Sequence, residues 1–445
     1  MSTVTDMTRG NPAKLMLRFA LPVILTNLGQ QLYQIVDAAI VGRGVGVDAL
    51  AAVGCTDWTY WIILWSMSTM TAGFATFVSR FFGKQDYVKM NRSIIVSSVL
   101  SAIIAIVLTV VGLWAARPVL ELLDTPQKIL DDAVIYLSTM VAGTLIVTAY
   151  NLSAAILRAF GDSKTPLTAM ILAAIMNILL DLLLAIVLGW GVFGAALASL
   201  LSQLFSFVFC LLKIRRIEYV KLDKAARQWD WRLCWEILLF GLPLALQYII
   251  INMGGVLVQS TINLQGSAFI AGYTAVNKLY GLLECSAIAL GSAFITYASQ
   301  NFGAGQKQRV RRGVNVAMLL AVGAALVLMA VVLPLRGILP QLFMDGAEAG
   351  AAEALQVSAR YLTYMAFGMP ILYLVYVHRS NLQAIGNSSW SLVSGIAEAA
   401  VRVIIAKCFY PFFGVQTLFY IEPLAWLAAW LFVMVPYYFY QKKRL

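Results

Sequence analysis

Asp37, Asn177 and Asp181 stand where an apolar chain least tolerates them. Leu21–Gly42 reads LPVILTNLGQQLYQIVDAAIVG, long enough to cross a bilayer as a helix, yet it carries Asn27, Gln30, Gln31, Gln34 and Asp37. At about 100° per residue, Asn27, Gln30, Gln34 and Asp37 share an arc of roughly 80°, so one narrow stripe of an otherwise lipid-soluble helix is polar. Further on, MNILLDLLL sets Asn177 and Asp181 four residues apart on one helix face. An ionisable group at membrane depth is costly and persists mostly where it faces a cavity, a partner or an ion path. Two carboxylates brought together there either share a proton or jointly hold a cation through hard oxygen ligands. The plainer reading, in which each Asp caps or pairs with its own neighbour, is the less favoured one.

The remaining polar positions divide by spacing. Asn252, Gln259 and Asn263 fall within about 40° on one helix and are expected to face a cleft, as is Gln34 on the first. Glu284 lies inside an apolar run and reads either as a cavity residue or as the partner of Lys278 or another cation. Glu398 and Arg402 are four apart with Glu first, the favoured order for an intrahelical pair, and read as structural. Glu422 precedes Pro423 near a helix end and reads as peripheral. The single histidine, His378, reads as a packing or interfacial residue rather than a catalytic one. Cys55, Cys210, Cys234, Cys285 and Cys408 follow no pairing or zinc-site pattern and read as packing residues.

These residues need a scaffold, and composition supplies one. The chain is 445 residues long, 61% hydrophobic and 12% charged, outside the soluble globular range. Apolar runs near 17–41, 54–78, 93–115, 133–157, 167–188, 194–213, 237–262, 271–298, 313–335, 361–383, 390–410 and 417–439 predict twelve spans. The first reads as a true span, since it contains Gln and Asp and lacks a small-residue cleavage pattern. No Gly-x-x-x-x-Gly-Lys loop is present, which argues against a nucleotide-driven device.

The +11 formal charge is arranged for membrane orientation, and no nucleic-acid partner is expected. Alternate connections hold Arg80, Lys84, Lys89 and Arg92, then Arg158 and Lys164, then Lys213–Arg232, then Lys307–Arg312, and finally Lys442, Lys443 and Arg444. The opposite set has only Arg43, Arg117, Lys128 and Arg336. Both termini are therefore expected in the cytoplasm, with the chain multi-pass in the cell (inner) membrane.

The chain also repeats itself. Phe19-Ala-Leu-Pro22 recurs as Phe240-Gly-Leu-Pro243, Ser79-Arg-Phe-Phe-Gly83 as Ser299-Gln-Asn-Phe-Gly303, and Arg158-Ala-Phe-Gly161-Asp-Ser163 as Gln383-Ala-Ile-Gly386-Asn-Ser388, at spacings of 221, 220 and 225. The expected fold is all-α and integral to the membrane: two six-helix lobes related by a pseudo-twofold axis along the membrane normal. The expected division is an N-lobe over 1–213, a cytoplasmic linker over 214–235 and a C-lobe over 236–445. Aligned on the two prolines, the position equivalent to Asp37 is Val258, so the helix is duplicated without its carboxylate.

Twelve spans in two halves, Pro22 followed fifteen residues later by Asp37, the Asn177-x-x-x-Asp181 pair, and GVFGAALASLLSQ at Gly191–Gln203 together resemble the multidrug and toxic compound extrusion (MATE) family of bacterial type. The resemblance implies alternating access and export of organic cations or amphipathic drugs in exchange for H⁺ or Na⁺, without an enzymatic cofactor. It implies that Asp37, Asn177 and Asp181 form the cation site of the first lobe, acting as metal ligands only if Na⁺ is the coupling ion. Ser199 inherits the role of a further oxygen ligand, and the first helix is expected to bend near Pro22. The substrate cavity is assigned Gln34, Asn252, Gln259 and Glu284, the last resembling a glutamate of another bacterial multidrug branch. The chain departs from members with acidic residues in the seventh and tenth helices, having Ile251 and Leu374 there. Small amphipathic or cationic molecules and the lipid bilayer are the expected partners of a monomer. The alternative is a flippase of lipid-linked sugars from the related superfamily, which would require a strongly cationic cavity.

Overall fold

The computed structural model describes residues 4–221, 223–343 and 350–444, with the backbone alone for 440–444. The expected basic cluster Lys442, Lys443 and Arg444 thus lies outside the described side chains. Among the described residues the chain is helical without strands, as backbone groups immersed in hydrocarbon require.

The spans are α1 (Pro12–Gly44), α2 (Val47–Gly83), α3 (Tyr87–Leu122), α4 (Gln127–Ala142, continued by Thr144–Ala159), α5 (Lys164–Leu180), α6 (Gly191–Arg215), α7 (Trp231–Ile262), α8 (Ser267–Gly303), α9 (Lys307–Leu335), α10 (Ala351–Ala384), α11 (Ser389–Ile404) and α12 (Ile421–Arg444). Among the described residues nine are long and apolar enough to span unaided, and the bent α4 makes ten. The remaining two, α1 and α11, carry the polar stripe and the Glu398–Arg402 pair. Several helices run past their apolar runs by a turn or more, because the amphipathic ends stay helical beyond the hydrocarbon.

The chain forms two compact units. One comprises the residues up to Asp6 together with Leu21–Ala245, the other Met7–Ala20 together with the residues from Leu246 onward. Both α1 and α7 thus change unit beside their internal prolines, Pro22 and Pro243. The repeated sequences explain the docking of each leading segment. In the first unit Arg80 lies over the rings of Phe77 and Phe240, at 5.2 and 5.3 Å, where α7 begins its packing. Leu233, Ile237, Phe240 and Leu244 continue that contact among Met67, Met70, Phe74 and Leu100. In the second unit the equivalent motif holds Gln300 and Asn301, which bond the backbone of Met7 at 2.8 and 3.0 Å.

Connections are fixed by caps. Asp86 accepts from the Lys89 N–H at 3.1 Å, Asp162 from the Thr165 N–H at 2.9 Å, and Asp230 from the Leu233 N–H at 3.0 Å, starting α3, α5 and α7. Gly161, at φ +76°, is required on two counts: the left-handed conformation, and the Thr5 carbonyl oxygen, which a Cβ would meet at 2.4 Å. The link before α7 lies on the start of α3, with Arg92 donating to the Ala225 carbonyl at 3.0 Å and pairing with Asp230 at 3.5 Å.

The Leu233 N–H, aided by Arg92, holds the Asp230 carboxyl below its ordinary range. A depressed folded-state value contributes stability above the unfolded carboxyl's titration, lost as pH falls through the folded one. Asp230→Ala should lower the stability of the detergent-solubilised protein by about 1 kcal/mol near neutral pH. Thermal melts of wild type and variant should converge as pH drops below the carboxylate range; a gap that persists in acid would refute the assignment.

Candidate functional site

In the first unit, polar groups from α1, α5 and α6 meet. Asn177 and Asp181 are fully buried, Ser199 nearly so, and Asp37 half-buried. The Asp37 and Asp181 carboxyls lie within hydrogen-bonding range of each other. A carboxylate has no donor, so the two can bond each other only when one of them carries a proton. The surroundings orient the Asn177 amide: its nitrogen donates to Asp181 Oδ2 at 2.8 Å, and its oxygen accepts from the Ser199 N–H at 3.3 Å. The Tyr33 hydroxyl, one turn before Asp37 on α1, lies 3.1 Å from Ser199 Oγ. Tyr136 of α4 sits within electrostatic reach of Asp37, Tyr33, Asp57 and Tyr60.

The backbone sets this geometry. At Asp181 the α-helix widens into a π turn over Asp181–Val187, with Leu188 N–H bonding the Leu183 carbonyl at 2.8 Å. The extra residue per turn re-aims the side chains at its start, and π turns recur at functional sites for that reason. On α6, Gly194 passes directly against the widened turn; a Cβ there would stand 2.7 Å from the Leu184 carbonyl carbon and 2.8 Å from Ala185 Cα. That close approach brings Ser199 to Asn177.

Asp37 Oδ1 and Asp181 Oδ1 are buried without a hydrogen-bond partner. Two orphaned carboxyl oxygens beside an amide and hydroxyls fit a small hard cation as well as a proton. Among the described residues no group of three or more His, Cys, Asp or Glu side chains gathers to bind a metal. A bound Na⁺ would therefore need the neutral oxygens of Asn177 and Ser199.

The second unit holds a different constellation. Arg379 Nη2 donates to Glu398 Oε2 at 2.7 Å and to Ser394 Oγ at 2.7 Å. Arg402 lies 3.0 Å from Glu398 Oε1 and grips Glu422 bidentately, Nε to Oε1 at 3.1 Å and Nη2 to Oε2 at 2.6 Å. Arg379, Glu398 and Arg402 are buried and Glu422 is partly so, with no side chain more than 14% exposed. Arg402 Nη1 also donates to the Ile251 carbonyl of α7 at 3.2 Å. The intrahelical pair read from sequence is therefore part of a four-residue network. Glu422 is not peripheral, since it is the bidentate partner of Arg402.

Glu284 does not pair with Lys278, which is exposed. Its Oε1 accepts from the Tyr280 hydroxyl at 2.7 Å and the Tyr376 hydroxyl at 2.8 Å. The other expected cavity residues are not drawn into one cluster: Gln34 is half-buried on α1 in the first unit, Asn252 bonds the Tyr248 carbonyl of its own helix at 2.8 Å, and Gln259 bonds Asn263 at 2.8 Å. His378 is buried edge-on to Trp430 and Tyr437, with Nδ1 2.8 Å from the Leu374 carbonyl. The cysteines form no disulfide among the described residues, and Cys408, being exposed, is not a packing residue. Tyr33, Tyr136, Arg379, Tyr280 and Tyr376 are participants that sequence reasoning passed over, although Tyr33 and Tyr280 each stand one helical turn from a carboxylate.

A multi-pass helical protein with polar and ionisable groups gathered inside its spans has the build of a membrane transporter. The particular family follows from comparison. The sequence model of the MatE family matches residues 22–183 and 243–407, and the chain belongs to this family of multidrug efflux transporters. It is 31% identical over 305 residues to the "Probable multidrug resistance protein YpnP" of Bacillus subtilis, covering 68% of each chain. It is 26% identical over 305 residues to an FAD transporter of Shewanella oneidensis, covering 66% of each. In structure it resembles a MATE protein crystallised in complex with MaL6, with a TM-score of 0.88 at 22% identity over 98% of this chain and 99% of that one. The fold is thus the twelve-span, two-lobe MATE fold.

Because the Gly194 contact is with backbone, it cannot be relieved by a rotamer change. Gly194→Ala should cost about 1–3 kcal/mol by forcing α6 off the π turn. Gly54→Ala, where a Cβ meets nothing within 4 Å, should be neutral or slightly stabilising. Equal melting temperatures for the two variants would refute the packing account.

Proposed function

We propose that the protein is a cation-coupled antiporter that exports amphipathic or cationic drugs by alternating access, using H⁺ or Na⁺ at Asp37, Asn177 and Asp181, with Ser199 as a further ligand. The observation that carries the reading is the pairing of Asp37 with Asp181 across α1 and α5, each with an orphaned buried oxygen. Occupancy by a cation neutralises this pair and tightens the link between the two helices. Release leaves two carboxylates that repel, so the α1–α5 link depends on occupancy. An ion that favours one conformation lowers affinity for a drug that favours the other, and by linkage the reverse holds equally.

The YpnP name supports a multidrug cargo, and the FAD-transporting relative argues for including a flavin nucleotide among the substrates tested. A flippase for lipid-linked pyrophosphates would want free buried cations, whereas Arg379 and Arg402 are both committed to glutamates. The working form is a monomer in the cell membrane with both termini in the cytoplasm, in keeping with the charge asymmetry of the connections.

Efflux of a fluorescent organic cation from intact cells tests the reading. Asp37→Asn and Asp181→Asn should each reduce gradient-driven efflux by at least about tenfold. Dissipating the H⁺ gradient or removing Na⁺ should identify the coupling ion. Full gradient-driven efflux by both variants would sink the site assignment.

A further inference from the structure

We propose that Arg402 is a built-in cation, filling in the second unit the place where the first unit takes its exchangeable one. The inference rests on the coupling reading above and goes beyond it by fixing where ions cannot act.

The repeat supplies the correspondence. The Gly161-Asp-Ser163 and Gly386-Asn-Ser388 turns are 225 residues apart, and on that offset Asn177 maps to Arg402 and Asp181 to Ala406. The backbones agree: α5 begins at Lys164 and turns π at Asp181–Val187, while α11 begins at Ser389 and turns π at Ile405–Phe409. The neighbours agree as well. Asn177 bonds Ser199 on the following helix α6, and Arg402 bonds Glu422 on the following helix α12. Asp37 reaches this centre from α1, and the Ile251 carbonyl reaches its counterpart from α7.

The charge count gives the chemistry. Around Arg402 stand Glu398 on its own helix, Glu422 on α12, Arg379 on α10, and Glu284 with Tyr280 on α8. Arg379 and Arg402 offset Glu398 and Glu422, and Glu284 is held separately by two tyrosine hydroxyls. A guanidinium neither loses its proton in a protein nor leaves its tether. The Arg379–Glu398–Arg402–Glu422 network therefore carries the same compensation through every step of the cycle. It adds no exchangeable cation to those of the first unit, and Arg402 acts as a positioning residue that ties α7, α11 and α12 together.

The test counts H⁺ and Na⁺ released when the fluorescent organic cation is added to the purified full-length protein. Wild type should release cations, and the folded D37N/D181N double variant should release none. R402Q leaves two buried carboxylates to one arginine, so the count should rise by about one exchangeable cation per substrate bound. R402K, which keeps a tethered charge, should return the count to the wild-type value. Release that survives D37N/D181N, or an R402Q count equal to wild type, would overturn the fixed-cation assignment alone. A wild type that releases no cation would overturn the coupling reading and this inference with it. The D37N/D181N count decides the matter even where R402Q fails to fold.

Discussion

Every polar feature of this protein answers to one constraint: a charge buried among apolar helices must be compensated where it lies, because the surrounding medium screens it poorly. The two units satisfy it differently. In the first, two carboxyls face each other across α1 and α5 with an amide and hydroxyls around them, and no basic side chain pairs with either among the described residues, so on the proposed coupling the compensating charge arrives from outside the chain. In the second, two arginines and two glutamates close on each other, and the compensation is covalently attached. The first arrangement suits exchange and the second suits permanence.

How far the sequence revealed this depends on the distance over which each contact acts. The spans, their number and the repeat were legible because hydrophobicity and spacing are written along the chain. Asn177 and Asp181 were legible because they stand four apart on a helix that keeps its α pitch up to Asp181. Of the two readings offered for Glu284, the pairing with Lys278 falls to the same geometry. Six residues on a helix turn the side chains about 120° apart, whereas the four separating Tyr280 from Glu284 turn them only about 40° apart. Glu422 meets Arg402 from the following helix, and Tyr136 comes within electrostatic reach of Asp37 from another helix, so neither relation has a spacing to read. The π turns were invisible, since one extra residue per turn leaves no compositional mark.

The repeat preserved backbone devices more faithfully than side-chain chemistry. Pro22 and Pro243 interrupt α1 and α7 at the point where each changes unit, and the π turns begin within one residue of each other on the 225-residue offset. Such features must survive duplication, because in hydrocarbon each backbone group has to be satisfied within its own helix or by an adjacent one. A side chain at a widened turn is under no such rule. Substituting an arginine for Asn177's counterpart changes what the site binds and leaves how the helix runs untouched.

That separation bears on how an ion could drive a conformational change. A ligand shifts an equilibrium only by the difference in its interaction with the two states. In the second unit, α7 is joined to α11 through a backbone carbonyl and a guanidinium, a bond whose strength no ion exchange alters. In the first unit, α1 is joined to α5 through two carboxyls, a bond that exists when a cation or proton lies between them and turns to repulsion when it does not. Only the second kind of link differs between loaded and empty states. On the coupling proposed above, the free-energy difference that moves the transporter is generated at α1, beyond Pro22, and the duplicated helix α7 serves as its fixed counterpart.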